Sequence, residues 1–180
     1  RDGNTVEIHT KKAGIRFSAI DGHYIKLNGS PITLKGVNRH ENNCRRGRAI
    51  TAEQIIAELE DIKSCNLNAI RTSHYTNQPL FFEVASELGI YVMDEADIES
   101  HGMAETGDMG KLAKMDEWAA VFHDRVSRAY YQDKNETCIN LRSLGNEAGN
   151  GKNQYACIEW LKEKQPKIPT SYYASQFDEK

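Results

Sequence analysis

Long hydrophobic runs are missing from this 180-residue sequence: none approaches the ~20 apolar residues that span a bilayer, and no membrane partner is expected. The first residues, RDGNTVEIHTKK, lack the apolar core of a secretory signal. A strong excess of either charge is missing too. The formal net charge of −3 gives no reason to expect nucleic acid or an acidic membrane surface as partner. Cysteine is sparse and unpatterned. Cys44, Cys65, Cys138 and Cys157 form no C-x-x-C pair, and a zinc site would need closer spacing or a histidine pair. They read as scattered reduced thiols; the location stays undetermined, with the cytoplasm favoured. No G-x-G-x-x-G or G-K-[ST] follows any predicted strand, which removes the usual nucleotide-binding signals.

What is present is a regular alternation of two periods. Val6 to His9 alternates and reads as a strand, Ile15 to Ile20 as another. "YIKLNGSPITLKG" (24–36) reads as a hairpin turning at Asn28-Gly29. After Gly36 helices begin. Thr51 with Gln54 three residues on makes a capping box, and Ile55, Ile56, Leu59 and Ile62 at helical spacing predict a helix over 52–65. Pro79 opens a second helix that Gly89 stops. A long helix is predicted at about 116–132 and a fourth over "NQYACIEWLKEK", with a fifth strand in "PTSYY". Trp118 and Trp160 read as core or subunit packing, and "CRRGR" (44–48) as a solvated loop.

Strands alternating with helices imply α/β architecture and a parallel sheet with right-handed crossovers. It could be an open doubly wound sheet or a (β/α)8 barrel. Polar residues gather after several different strands, as barrel chemistry requires, because the strand C-terminal ends share one mouth. A full barrel typically takes ~250 residues. With four or five strands on hand, the expected fold is a partial (β/α)8 TIM barrel, about its first five strands, preceded by a short β segment and hairpin.

The strand ends supply Asn38, Arg39, His40 and Glu41; Arg71, Ser73, His74 and Tyr75; Asp94, Glu95, Glu99 and His101; and Asn146 with Glu147. Converging carboxylates, histidines and an arginine mark acid–base chemistry. Each has a plainer reading alone. His40 could lie on the surface, Arg71 could serve a structural ion pair, Asp94 and Glu95 could cap a helix, Asn146-Glu147 could cap the next one, and Glu99-x-His101 is a weak metal signal. Together the clusters outweigh these readings.

"GVNRHE", "RTSHYTN", "YVMDEADIESHG" and "SLGNEAGNG", in this order and spacing, resemble the large β-galactosidases of glycoside hydrolase family 2, from about Ile25 to Tyr173. The resemblance implies residues 1–23 as the end of an immunoglobulin-like domain or linker and 24–180 as the first half of a barrel glycosidase domain. It implies Glu147 as general acid/base of retaining hydrolysis, and Asn146, His40, His74 and Arg71 as substrate-binding or orienting residues. Glu99, His101 and Glu147 are implied as ligands of magnesium. A retaining pair needs a second carboxyl ~5–5.5 Å away. The family's nucleophile lies well downstream, and Asp178 and Glu179 do not fit that role, so the isolated chain is expected to be inactive. The implied partners are a β-galactoside and either the remainder of a parent chain or further copies. A non-catalytic carbohydrate-binding or assembly module is the alternative.

The sequence departs from the family pattern at Thr76, where proline is usual, at Asp97, where asparagine is usual, and at Arg142, where tryptophan is usual. Asn42-Asn43-Cys44 also replaces a segment with His or Asp. An arginine on a buried strand needs an acidic partner or exposure to water. Gly145, Gly149 and Gly151 are expected to let the backbone leave around the sugar.

Overall fold

The computed structural model describes residues 2–3 and 5–172. A small antiparallel sheet of three strands, β1 (Ser18–Asp21), β2 (Tyr24–Leu27) and β3 (Ser30–Pro31), precedes a parallel sheet. The β2–β3 turn falls at Asn28-Gly29, both left-handed with φ of 50° and 85°, the turn whose twist matches paired strands. The expected strand at Val6–His9 is absent: Val6 and Ile8 are exposed, and no neighbouring strand among the described residues pairs with them. Alternation alone does not make a strand when its backbone groups find no ladder. The expected strand at Ile15–Ile20 begins only at Ser18.

Five parallel strands follow in sequential order: β4 (Gly36–Arg39), β5 (Ala69–Thr72), β6 (Tyr91–Glu95), β7 (Ile139–Ser143) and β8 (Thr170–Ser171). Among the described residues the sheet does not close, with β4 and β8 at its edges, so the fold is a partial (β/α)8 barrel. Helices α1 (Ala52–Ser64), α2 (Pro79–Leu88), α3 (Lys111–Lys114), α4 (Ala119–Asp133) and α5 (Lys152–Lys164) connect the strands. The Thr51 hydroxyl accepts from the Gln54 amide, and Gly89 ends α2 in the left-handed conformation, as the sequence predicts. The long helix begins at Ala119 rather than near 116, because residues 116–118 form a tighter 3₁₀ turn. Of the two tryptophans, Trp160 packs edge-on against Tyr130 and Tyr131 between α4 and α5, whereas Trp118 is 36% exposed. Of the last predicted strand, Tyr173 lies outside the described residues, as do Asp178 and Glu179.

Strand alternation sorts the side chains into two layers. Ile70 and Val92 face the helices in a core with Ile55, Leu59, Phe81 and Phe82. The β6–β7 register skips Asn140: Val92 pairs with Ile139, but Met93 pairs with Leu141. This bulge lets Ile139 join the helix-side core while Leu141 and Ser143 follow Met93 and Glu95 to the other face. Arg142 then points to the helices. Its Nη1 lies 2.5 Å from Asp94 Oδ2 and 2.5 Å from Asp133 Oδ1, so the acidic partner that the sequence requires is present twice. Thr76 Oγ1 donates to Asp133 Oδ2 at 3.1 Å.

Burial pushes the Asp133 carboxyl up to about 8, with the charge of Asp94 adding to the rise and Arg142 opposing it. The folded chain therefore binds a proton here that the unfolded chain, with an ordinary carboxylate, releases near pH 4. The stability from this group is complete below the unfolded value and is lost as pH rises toward about 8. The melting temperature is expected to fall between pH 5 and 8, and Asp133→Asn to flatten that slope; thermal melts across the range check it.

Candidate active site

The C-terminal ends of β5, β6 and β7 build one polar floor. Glu95, the last residue of β6, is fully buried and accepts four hydrogen bonds. Arg71 Nε and Ser143 Oγ each donate to Oε2 at 2.6 Å. Arg71 Nη2 donates to Oε1 at 3.0 Å, and His74 Nδ1 lies 2.7 Å from the same oxygen. Arg71 Nη2 also donates to Asn146 Oδ1 at 3.0 Å, and Asn146 Nδ2 donates to Glu99 Oε1 at 3.1 Å. His40 stands edge-on to His74, with ring centroids 5.2 Å apart.

The backbone after β7 sets the position of Glu147. Asn146 N–H donates to Ile98 O at 2.9 Å, and Glu99 and Asn146 form a parallel bridge that carries the β6–β7 pairing past the strand ends. Glu147 itself has φ of 36°, a left-handed conformation that costs a non-glycine residue on the order of 1–3 kcal/mol. The glycines around it have a different role from the one expected. A Cβ on Gly145 would stand 2.3 Å from Ile98 O, and one on Gly149 2.3 Å from Gly110 Cα. They let this loop press against the loop that follows β6, rather than clear space for a sugar. Tyr172 clamps the other side: its hydroxyl accepts from Ala148 N–H at 3.0 Å and donates to Gly149 O at 2.6 Å. Asn146 and Glu147 do not cap α5, whose first residue is Lys152.

His101 Nδ1 contacts Glu147 Oε2, and one ligand atom each from Glu99, His101 and Glu147 lie within 4.8 Å of one another. Ligands on opposite sides of one magnesium are about 4.2 Å apart, so small side-chain rotations would bring all three to one ion. Two carboxylate oxygens and an imidazole nitrogen form a donor set that suits magnesium or manganese, with water completing the shell.

Other polar residues from the strand ends are not in the bowl. Arg39 is buried against the helices, bonded to Glu58 at 2.8 Å and Asn77 at 2.6 Å, with Glu41 beside it. Asp94 turns outward to Arg142. Neither Asp94 nor Glu95 caps a helix. Nothing in the sequence pattern marks Ser143 or Tyr172, and Glu95 turns out to be neither a helix cap nor a rim group but the floor's buried acceptor. The signal available for Glu95 was alternation, since two adjacent carboxylates on one strand must face opposite layers.

A five-stranded parallel arc whose strand ends gather carboxylates, histidines and an arginine at one rim defines part of a (β/α)8 barrel of the enzyme kind, in which that rim carries the chemistry. Residues 18–180 match the family model described as "Glycosyl hydrolases family 2, TIM barrel domain", and the chain belongs to that family. Among curated relatives, a protein named beta-galactosidase from Pseudoalteromonas haloplanktis is 41% identical over 170 residues, covering 94% of this chain and 16% of the relative. A beta-galactosidase from Erwinia tasmaniensis is 39% identical over 171 residues, with 95% and 16% covered. The chain thus spans 16% of the length of these relatives. Among solved structures, a beta-D-glucuronidase of Dictyoglomus thermophilum superposes with a TM-score of 0.78 at 21% identity, covering 89% of this chain and 29% of that one. A beta-glucuronidase of Ruminococcus gnavus gives 0.74 at 24%, with 91% and 28% covered. These likenesses bear on the fold.

Proposed function

We propose that this chain forms the acid/base half of a retaining β-galactosidase-like active site, with Glu147 as the general acid and then base. The observation that carries the reading is the convergence of Glu147, Asn146, Glu99 and His101 at the rim above the Arg71–Glu95–His74 floor. Glu147 protonates the leaving glycosidic oxygen, and the same carboxylate then takes a proton from the attacking water. Asn146, with its Oδ1 on Arg71 and one Nδ2 proton on Glu99, holds a second Nδ2 proton for a sugar hydroxyl. His40 and His74 line the same side and contact the sugar. Glu99, His101 and Glu147 would hold magnesium; bound there it would supply positive charge that favours the ionised Glu147 carboxylate, so water or the other two ligands would have to keep it off the oxygen that carries the acid's proton.

The nucleophile comes from outside this sheet. Glu95 is sealed by its four donors, and Glu99 is tied to the Asn146 amide. The family resemblance supplies the second carboxylate from a later strand, beyond β8. The relatives' names favour galactoside over glucuronide as substrate. The expected result is that the full-length protein carrying this segment releases 4-nitrophenol from its β-galactoside far faster than from its β-glucuronide, and that the 180-residue chain alone releases none. A preference for the glucuronide, or turnover by the chain alone, would overturn the assignment.

A further inference from the structure

We infer that Glu95 is the positioning residue of this site, the buried anchor that sets both the tautomer of His74 and the direction of the Asn146 amide. The inference rests on the proposed hydrolytic reading and deepens it. Glu95 touches neither rim nor substrate, being fully buried at the floor. An ionised carboxylate only accepts, so the proton between His74 Nδ1 and Glu95 Oε1, 2.7 Å apart, sits on the histidine. Nε2 has no hydrogen-bond partner among the described residues and is the nitrogen left for a ligand. Arg71 is gripped through two of its nitrogens, at 2.6 and 3.0 Å, which fixes the plane of its guanidinium. From that plane Nη2 reaches Asn146 Oδ1 at 3.0 Å.

The amide is thereby read unambiguously. Its oxygen faces Arg71 and its nitrogen faces Glu99, because Arg71 only donates and Glu99 as a carboxylate only accepts. Ser143 Oγ holds the last lone pair of Glu95, so the carboxylate cannot rotate without losing a bond. One buried side chain thus orders two groups that face the substrate, and does so from the adjoining strands on both sides, β5 and β7. Asp94 provides an internal control. It is the neighbouring residue, similarly buried, and points into the opposite layer.

The test has two arms. In the 15N-histidine spectrum of the full-length protein, His74 is expected to show a protonated Nδ1, and Glu95→Gln to shift the ring to a mixture of tautomers. An unchanged His74 pattern in the variant overturns the inference, and this arm is blind to hydrolysis. In the full-length protein, Glu95→Gln is expected to lower kcat by about 10²-fold, the scale of a misplaced reacting group, while Asp94→Asn leaves kcat unchanged. Arg71→Lys should largely abolish the effect of Glu95→Gln, since the two act through one clamp. Equal loss in the Glu95 and Asp94 variants, or additive losses with Arg71→Lys, would make the role merely structural and overturn the proposal. Should Glu95→Gln not fold, Glu95→Asp keeps the charge but shortens the reach, and wild-type kcat in that variant would count against the inference. Failure of the hydrolytic reading shows separately, as a wild-type protein without glycosidase activity and an intact His74 tautomer.

Discussion

Glu147→Gln in the full-length protein is expected to lower kcat on an alkyl β-galactoside by about 10²–10⁴-fold, the usual contribution of a positioned general acid. Glutamine keeps the shape and loses the transferable proton. The loss should shrink as the leaving group improves, because a dinitrophenolate departs without protonation, whereas an alkoxide cannot. Position reinforces this expectation. Glu147 is held by a bridge between Glu99 and Asn146, by Tyr172 behind Ala148 and Gly149, and by close backbone contacts at Gly145 and Gly149. A left-handed residue so constrained has little freedom to place a substitute elsewhere. Measured rates across a series of aryl and alkyl galactosides check the prediction. An equal loss for every leaving group, or none, would remove Glu147 as the acid.

How much of this was legible before the coordinates depends on the range of the interaction involved. Local signals carried through: Thr51 caps α1, Pro79 opens α2, Gly89 closes it, and Asn28-Gly29 turns the hairpin. Each is decided within a few residues. The Val6–His9 strand failed because a strand needs a neighbour, and its pattern holds no information about one. The site shows the same division. The family resemblance implied that Glu99, His101 and Glu147 meet, and one ligand atom of each lies within 4.8 Å of the others. It did not show that Arg39 and Glu41 turn toward the helices while His40 stays on the bowl side. Nor could it show which of Asp94 and Glu95 goes inward, because that follows from pairing across three strands, including the skipped Asn140. Tyr172 lies 25 positions after Glu147 in the numbering, and only the β7–β8 crossover brings its hydroxyl to that loop.

Arg142→Met is expected to destabilise the chain by about 3–5 kcal/mol, because it removes the cation that two buried acidic side chains share and leaves their polar groups without it. Asp94 is 1% exposed and Asp133 2%. Arg142 Nη1 bonds the first and sits beside the second, and its Nε reaches Gln165 Oε1 at 3.3 Å. Burial pushes both carboxyls up even though Arg142 opposes the rise, so their charged forms depend on that guanidinium. The departures from the family pattern at Thr76 and Arg142 meet at this point, since both side chains address Asp133. A tryptophan at the position of Arg142 would fill the layer with apolar surface and need no carboxylates near it. Replacing the whole cluster is therefore a different experiment from removing one member. Asp94→Asn, Asp133→Asn and Arg142→Met together should recover most of the loss, since apolar or neutral packing often equals a buried ion network. Urea midpoints for the single and the combined variants decide the matter. A single Arg142→Met variant as stable as the parent chain would mean the ion cluster does not hold α4 to the sheet. A combined variant no better than the single one would place the loss in packing against Tyr130 rather than in charge.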